Sequence, residues 1–431
     1  MKLFLKVSAL NGLSVVVRAL SAVALNKVLA TVIGPSGYAL VGQAQNFASM
    51  ALSLSSGLIQ SGIIKYTAQF SLDQETREMY LRVSLRVTLT SALVFGCLFI
   101  VFRRQLALVV LHDQSLSPYF LVLSVCFPFM SLAALQIALM NGMKDVVGFV
   151  KVSIVSSIVG TSAGVFLAIH FGLMGALAAL LLNQALVFVV ASPVIVKRGW
   201  ISRKVLTGAL DRVPVLNLAK FAAMAFTSAI MVPGSHMIVR EHLISQFGLE
   251  AAGHWQAVWK ISEIYLSVAT ATLSFYYLPK ISEARSLSEL RGEIRMGYRL
   301  VLPLAALMAV FIYAFRYQII LVLFSDAFVP MERLFLWQLV GDVVKIGSFV
   351  LGMVVVGRAM TKLFIASEIL FTVSFVCLVF MLTSVFGLKG VTIAFAVNYL
   401  AYWIFTGLAL RKFMTTLFPR AAERDSPPDR A

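Results

Sequence analysis

Residues Leu334 to Met360 have the sequence LFLWQLVGDVVKIGSFVLGMVVVGRAM. This stretch is long and apolar enough to cross a bilayer as a helix, yet it contains Asp342 and Lys345. A charge near the hydrocarbon centre costs at least roughly 2.5 to 3.5 kcal/mol, so such residues persist where they face a partner or a water-filled cavity. Gln338, Asp342 and Lys345 are spaced i, i+4 and i+7, which places them on one helix face. The stretch therefore predicts a transmembrane helix that forms one wall of a polar cavity.

Apolar runs of this kind recur along the whole chain of 431 residues, of which 60% are hydrophobic and 13% are charged. The mean hydropathy is +0.91, and average soluble domains contain about 25% charged residues. Runs of about 20 or more apolar residues predict an all-α, multi-pass membrane protein with twelve transmembrane helices. The predicted spans are 5–33, 39–64, 80–102, 118–142, 146–169, 173–196, 217–240, 251–278, 296–315, 334–357, 361–385 and 389–410.

The net charge of +17 would suit a nucleic-acid-binding protein if the basic residues formed a patch. Instead, most of the 36 Lys and Arg residues fall at the helix ends that lie on the side of the N-terminus. The opposite side holds only Arg103, Arg104, Arg240, Arg316, Arg333 and Lys389. The positive-inside rule then places both termini in the cytoplasm, so the charge indicates membrane topology and no nucleic-acid partner is expected.

An internal duplication divides the chain into two halves. The pattern F-G-L-x-G-x-x-x-A-x-x-x-N begins at Phe171 and recurs at identical spacing from Phe386. Six helices separate the copies, an even number, so the halves have the same orientation and a parallel pseudo-two-fold axis along the membrane normal relates them. We predict an N-terminal six-helix bundle at 1–205, including the start of a basic connector, a C-terminal six-helix bundle at 206–413, and a disordered cytoplasmic tail at 414–431.

Polar side chains form stripes on several predicted helices besides the one that contains Asp342. On the eighth helix, Gln256, Lys260 and Glu263 are spaced i, i+4 and i+7. Together the stripes predict a central polar cavity suited to transport of a charged, sugar-like solute. The candidate substrate-binding residues are Arg18, Lys27, Gln43, Asn46, Gln256, Lys260 and Lys345.

Two pairs of opposite charges within these stripes have a structural interpretation as well as a functional one. Asp342 with Lys345, and Lys260 with Glu263, are i, i+3 pairs that could neutralise each other in ion pairs between neighbouring turns. Alternatively, they line the cavity. The chain lacks the GxxxxGK[ST] loop that binds ATP, so transport is predicted to use an ion gradient, with Asp342 and Glu263 as the candidate carriers.

The two basic residues of the first helix also leave alternatives open. Arg18 has no acidic residue on its own helix, so it either binds an anionic ligand or pairs with a carboxylate elsewhere. Lys27 lies nearer the outer end of the helix, where it either lines the cavity mouth, if the helix is kinked, or extends to the interface.

Catalytic, metal and cofactor sites are not predicted. Cys97, Cys126 and Cys377 all fall within predicted spans and have no metal-ligand spacing. The five histidines all fall in the outer half of the predicted spans or in outer loops, and they are scattered there. The sequence therefore predicts a transporter and not an enzyme.

Two segments carry a resemblance to a known family. They are the turn Gly34-Pro35-Ser36-Gly37-Tyr38, which precedes Gln43, and the run WQLVGDVVK from Trp337 to Lys345. With the twelve-helix duplication, they resemble the Wzx-type lipid-linked oligosaccharide flippases of the MOP exporter superfamily, which has a MATE-like fold. Within this family, the flippases of enterobacterial common antigen synthesis are the most similar. The likeness covers essentially the whole chain except the C-terminal tail.

The resemblance implies that an undecaprenyl-diphosphate-linked oligosaccharide, either a lipid III or an O-antigen-type unit, crosses the bacterial inner membrane by alternating access. A diphosphate requires charge-assisted donors, and arginine suits it best through bidentate contacts. Gln43, Asn46 and Gln256 would then contact sugar hydroxyls. Membrane lipids and the polymerase and chain-length proteins of the same glycan pathway are the other expected partners.

Two other functions stay open at this point. A multidrug or cation antiporter of the same superfamily would share the architecture, but organic cations should favour a net acidic cavity. A membrane glycan polymerase or ligase should carry a large outer loop with catalytic residues, and the sequence contains no such loop.

Overall fold

We describe a computed structural model of the chain at residues 2–202, 205, 212–283, 286–358 and 360–417. Within these residues the structure is helical and contains no strand. The predicted tail beyond residue 417 and most of the predicted connector after Ile201 and Ser202 lie outside the described residues.

Twelve long helices follow one another through the described ranges. They are α1 (2–33), α2 (35–69), α3 (Gln74–Val101), α4 (Pro118–Gly142), α5 (146–171), α6 (173–198), α7 (212–247), α8 (249–283), α9 (Leu287–Ala314), α10 (Phe335–Gly357), α11 (Thr361–Phe386) and α12 (Lys389–Leu417). One π-helical turn, Ser53–Gly57, interrupts α2.

Eight stretches of the described chain are long and apolar enough to cross a membrane, and two of them, Ser14–Gln69 and Val146–Arg198, each contain two helices. The predicted all-α, twelve-helix, multi-pass fold is confirmed.

Glycines with positive φ separate the paired helices, and they recur at matching places in the two halves. Gly34 (φ 62°) lies between α1 and α2, and Gly248 (φ 84°) lies between α7 and α8. Gly172 (φ 54°) lies between α5 and α6, and Gly387 (φ 60°) lies between α11 and α12. Since L-residues rarely adopt these angles, glycine is favoured at these four junctions.

A second glycine in each copy of the repeated motif permits close backbone approach. A Cβ atom on Gly175 would collide with the carbonyl group of Leu167, and one on Gly390 would collide with the carbonyl group of Leu382. The repeat in the sequence thus corresponds to a repeated packing geometry.

The loops after α3 and α9 also repeat. Each contains a short helix, Arg103–Leu111 in the first half and Arg316–Leu323 in the second. Each short helix is followed by a 3₁₀ segment, Gln114–Leu116 and Asp326–Leu334 respectively.

The described residues form two compact units. Unit 1 comprises the chain up to Arg240 with Val322–Ala327, and unit 2 comprises Glu241–Leu321 with the chain from Phe328 onward. Unit 1 contains an apolar cluster that includes Tyr66 and Tyr80, whose rings stack at 4.3 Å. Unit 2 contains a cluster formed by α8, α9, α10 and α12. The division at 205/206, which was inferred from the repeat, stays a prediction.

Candidate functional site

Asp342 on α10 is the centre of a polar cluster inside unit 2. Its side chain is fully buried and accepts hydrogen bonds from Ser262 Oγ and Tyr265 Oη, both at 2.6 Å. Gln338 Nε2 lies 3.4 Å from the other carboxylate oxygen. These donors offset the cost of burying a carboxylate, because a buried charge must be hydrogen-bonded to be tolerated in an apolar interior.

Local packing explains why Asp342 lies at this depth. Gly341 faces α12 so closely that a Cβ atom there would collide with the ring of Phe395. Ser262 and Tyr265 are spaced i, i+3 on α8, so both hydroxyl groups reach the same carboxylate. Two hydrogen bonds from α8 therefore hold the Asp342 side chain of α10 at the contact between these helices.

Lys345 lies among aromatic side chains. Its Nζ lies 5.3 Å from the ring centroids of Trp259 and Tyr399 and 5.7 Å from that of Phe395. No ion pair joins it to Asp342, although both residues are described. The neighbouring helices supply closer partners for both groups: hydroxyl donors for the carboxylate and ring faces for the ammonium. That the two charges act as a unit stays a prediction.

The second predicted pair does form. Lys260 Nζ lies 3.0 Å from Glu263 Oε2, and both side chains remain partly exposed. The other Glu263 oxygen accepts a 3.1 Å hydrogen bond from Trp259 Nε1. Gln256, one turn before Lys260, is buried. The Trp259 indole therefore contacts both Glu263, through its N–H, and Lys345, through its ring face.

A separate polar cluster lies inside unit 1. Arg240 is fully buried and donates a 2.7 Å hydrogen bond from NH1 to Gln43 Oε1. Gln43 Nε2 lies 3.5 Å from the carbonyl oxygen of Met237. Gln43, a predicted sugar contact, is therefore bonded to α7 in this structure.

Lys27 joins the segment Val322–Ala327 to α1. Its Nζ donates to the carbonyl oxygen of Phe324, and Asn26 Nδ2 donates to that of Leu323 at 3.1 Å. Tyr38 donates its hydroxyl proton to Asn26 Oδ1. Helix α1 continues past Lys27 and breaks only at Gly34.

Arg18 and Asn46, two further candidates of unit 1, remain open to a ligand. Arg18 is exposed and has neither a hydrogen bond nor an ion pair with any residue that the structure describes. Asn46 is half-buried and likewise has no hydrogen-bond partner in the described ranges.

Several residues of these clusters were not predicted from the sequence. Arg240 was assigned to an outer helix end and not to a buried contact. Ser262 and Tyr265 are spaced i, i+3 within an apolar stretch, which was a signal that could have been noticed. Trp259 and Tyr399 carried no signal, because an aromatic residue in a membrane helix usually contacts lipid or other helices.

The chain is similar in sequence to proteins of polysaccharide biosynthesis. A family model described as "Polysaccharide biosynthesis protein" matches residues 28–333, more than half of the chain. The lipid III flippase of Escherichia coli (strain K12) is 27% identical over 398 residues, which cover 92% of this chain and 96% of the flippase. These similarities confirm the predicted resemblance.

Solved structures with the same fold are multidrug and MOP superfamily transporters. An inward-facing multidrug resistance MATE family transporter matches with a TM-score of 0.79 and 16% identity, covering 95% of this chain and 96% of that one. A MOP superfamily transporter from Pyrococcus furiosus, described by the reverse polarity of its binding pocket, matches with a TM-score of 0.61 and 15% identity, covering 95% and 93%. The fold is therefore MATE-like, and the named relatives are transporters, not enzymes.

Proposed function

The chain belongs to the polysaccharide biosynthesis protein family, and we propose that it is a flippase. Its substrate is an undecaprenyl-diphosphate-linked oligosaccharide, a lipid III or O-antigen-type unit, which it moves from the cytoplasmic to the periplasmic leaflet by alternating access. It resides in the bacterial inner membrane with both termini in the cytoplasm. The 27% identity to a lipid III flippase over nearly the full length supports this assignment.

The observation that carries the proposal is an unusual pair of cations. Arg18 in unit 1 has no hydrogen bond or ion pair with the described residues. Lys345 in unit 2 forms no ion pair with them within 4.0 Å, although the charges of Asp342 and Glu263 act on it from farther away. A cation in a bilayer is costly unless a partner compensates it. A diphosphate supplies that compensation, and the planar guanidinium of Arg18 suits bidentate contact with phosphate oxygens.

Lys345 is held in a way that keeps its donors available. Cation–π contacts with the ring faces of Trp259 and Phe395 stabilise the ammonium, and the Tyr399 side chain is a further polar partner. An ammonium has three N–H groups, so those that Tyr399 does not use can be donated to an anionic ligand. Lys260, already paired with Glu263, would contribute to the same ligand only after that partly exposed pair opens.

The amide side chains that could contact the glycan differ in whether they already have a hydrogen-bond partner. Asn46 has no partner in the described ranges and can bond a sugar hydroxyl directly. Gln43 can do so only when its bond to Arg240 opens. We assign Gln256 to the same role from its place in the polar stripe of α8.

An ion gradient drives the cycle in this proposal, with Asp342 and Glu263 as carriers. Asp342 accepts from hydroxyl groups, an arrangement that suits the ionised carboxylate. A proton added to Oδ1 would displace Gln338 Nε2 from that oxygen, whereas Oδ2 would still accept from Ser262 and Tyr265. Gln338 Oε1 is buried without a donor in the described part of the chain, so rotation of this amide would let it accept a hydrogen bond from the new proton.

The multidrug antiporter is the second candidate, favoured by the MATE-like fold. The charges argue against it, because an organic cation would be repelled by Arg18 in unit 1 and by Lys345 in unit 2. Asp342 and Glu263 already have donors.

The proposal can be tested in proteoliposomes that contain fluorescently labelled lipid-diphosphate oligosaccharide, with an impermeant quencher outside. We expect the protein to accelerate equilibration between leaflets, and Lys345→Met to abolish the acceleration. We expect one of the two imposed gradients, proton or sodium, to change the flipping rate, and reversal of that gradient to change the rate in the opposite sense. Ethidium efflux without flipping would establish the antiporter instead, and flipping unaffected by both gradients would remove the coupling claim.

Polymerase and chain-length proteins of the same glycan pathway are proposed partners, because the flipped unit must be polymerised on the far side of the membrane. Co-purification from native membranes tests this point.

A further inference from the structure

A cavity lined by four arginines lies in unit 2, away from the Asp342 cluster. Arg291, Arg295 and Arg299 are spaced i, i+4 and i+8 on α9, so they lie along one helix face, and Arg411 faces them from α12. The cavity has a volume of about 580 Å³. It lies at one end of the bundle, because Arg291 is near the start of α9 and Arg411 is near the end of α12.

The remaining walls of the cavity are mostly apolar. Ile294, Leu351 and Leu410 line it together with Tyr298 and Gly407. The only atom near a Cβ built on Gly407 would be Leu351 Cδ1, at 3.7 Å, so the absent side chain leaves the floor open. The Tyr298 hydroxyl accepts a 2.8 Å bond from Trp403 Nε1, which leaves its own proton for a ligand.

Three of the four arginines have no anionic partner among the described residues. Arg295, Arg299 and Arg411 are exposed and have no hydrogen bond or ion pair with the described residues. Among the described residues, no carboxylate lines the cavity. Glu293, on the same helix, is paired with Lys280 at 3.7 Å. The site therefore suits a ligand with several negative charges.

The surface beside the cavity indicates that this ligand is a lipid. Leu300, Leu304, Leu307 and Phe311 form an exposed apolar stripe on α9 that begins next to Arg299. Acyl chains can pack along this stripe while the headgroup occupies the cavity. The arginine row from 291 to 299 covers about 12 Å of helix, which suits two phosphate groups better than one.

The cavity and the Asp342 cluster use different faces of α10. Leu351 is nine residues after Asp342, and at about 100° per residue the two side chains point in opposite directions. A lipid in the cavity is therefore separate from the proposed transport site on this helix. It would be a resident lipid and not the transported one.

We propose that this cavity binds a glycerophospholipid with two phosphate groups. Basic pockets between membrane helices recognise such headgroups through arginine–phosphate contacts. The site goes beyond the proposed flippase activity and does not depend on it.

Native mass spectrometry of the detergent-purified full chain, titrated with cardiolipin or phosphatidylglycerol, tests the proposal. The test variant is Arg295→Gln/Arg299→Gln/Arg411→Gln. The control is Lys151→Gln/Lys197→Gln/Lys362→Gln, which removes three exposed cations outside the cavity. At about fivefold per basic residue, we expect the test variant to bind cardiolipin roughly 100-fold more weakly and the control to bind it normally.

Gly407→Leu provides a second variant that keeps every arginine. It should fill the floor of the cavity and weaken cardiolipin binding at least tenfold, while circular dichroism and membrane abundance remain unchanged. Equal binding by the arginine variant and its lysine control would overturn the site. Phosphatidylglycerol binding as tightly as cardiolipin would overturn the two-phosphate assignment, and tighter binding of a polyprenyl diphosphate would overturn the resident-lipid assignment.

Discussion

Replacing Tyr265 by Phe tests the geometry of the Asp342 cluster. The change removes only the hydroxyl that donates to Asp342 Oδ2 at 2.6 Å and leaves the ring in place. Interhelical hydrogen bonds in membrane proteins average about 0.6 kcal/mol in double-mutant cycles. A bond to an ionised group is roughly twice as strong. We therefore expect a coupling energy of about 1.2 kcal/mol between Tyr265→Phe and Asp342→Asn.

The coupling can be measured by equilibrium unfolding in mixed micelles titrated with SDS, for the wild type, both single variants and the double variant. Tyr277→Phe is the matched control, because Tyr277 is a buried tyrosine of the same helix whose hydroxyl has no hydrogen-bond partner in the described residues. This variant should be neutral or slightly stabilising and additive with Asp342→Asn. If Tyr265→Phe is also additive to within about 0.4 kcal/mol, the hydroxyl–carboxylate contact does not stabilise the fold and the reasoning fails.

Three further predictions follow from other contacts. Arg18→Ala should abolish flipping while changing the free energy of unfolding by less than about 0.5 kcal/mol, and Arg18→Lys should keep partial activity; an unstable Arg18→Ala protein would contradict the absence of a structural partner. Gln43→Leu should cost about 1 to 3 kcal/mol, because it leaves the buried Arg240 without that acceptor, and a stability unchanged in the same SDS titration would argue against the bond. Gly172→Ala and Gly387→Ala should each cost about 1 to 3 kcal/mol through backbone strain alone, since no atom lies near either added Cβ, and clearly unequal losses would count against equivalent repeats.

The two i, i+3 charge pairs show which contacts of the site can be predicted from the sequence. Both pairs have the same spacing, yet Lys260 and Glu263 form an ion pair and Asp342 and Lys345 do not. The first pair is partly exposed and has few competing partners apart from Trp259. The second pair lies among residues of α8 and α12. The spacing of residues along α10 does not show that these two helices pack against it.

Helix number, the internal repeat and the importance of the α10 segment were determined by the sequence alone. Hydrophobic length is a local property set by bilayer thickness, and the repeated glycines act through their own backbone angles. Tertiary structure alone decided that hydroxyl groups hold Asp342, that aromatic rings surround Lys345 and that Arg240 is buried against Gln43. These contacts depend on the rotation and crossing of helices distant in sequence, and helical periodicity gives the face of a residue but not the residue it meets.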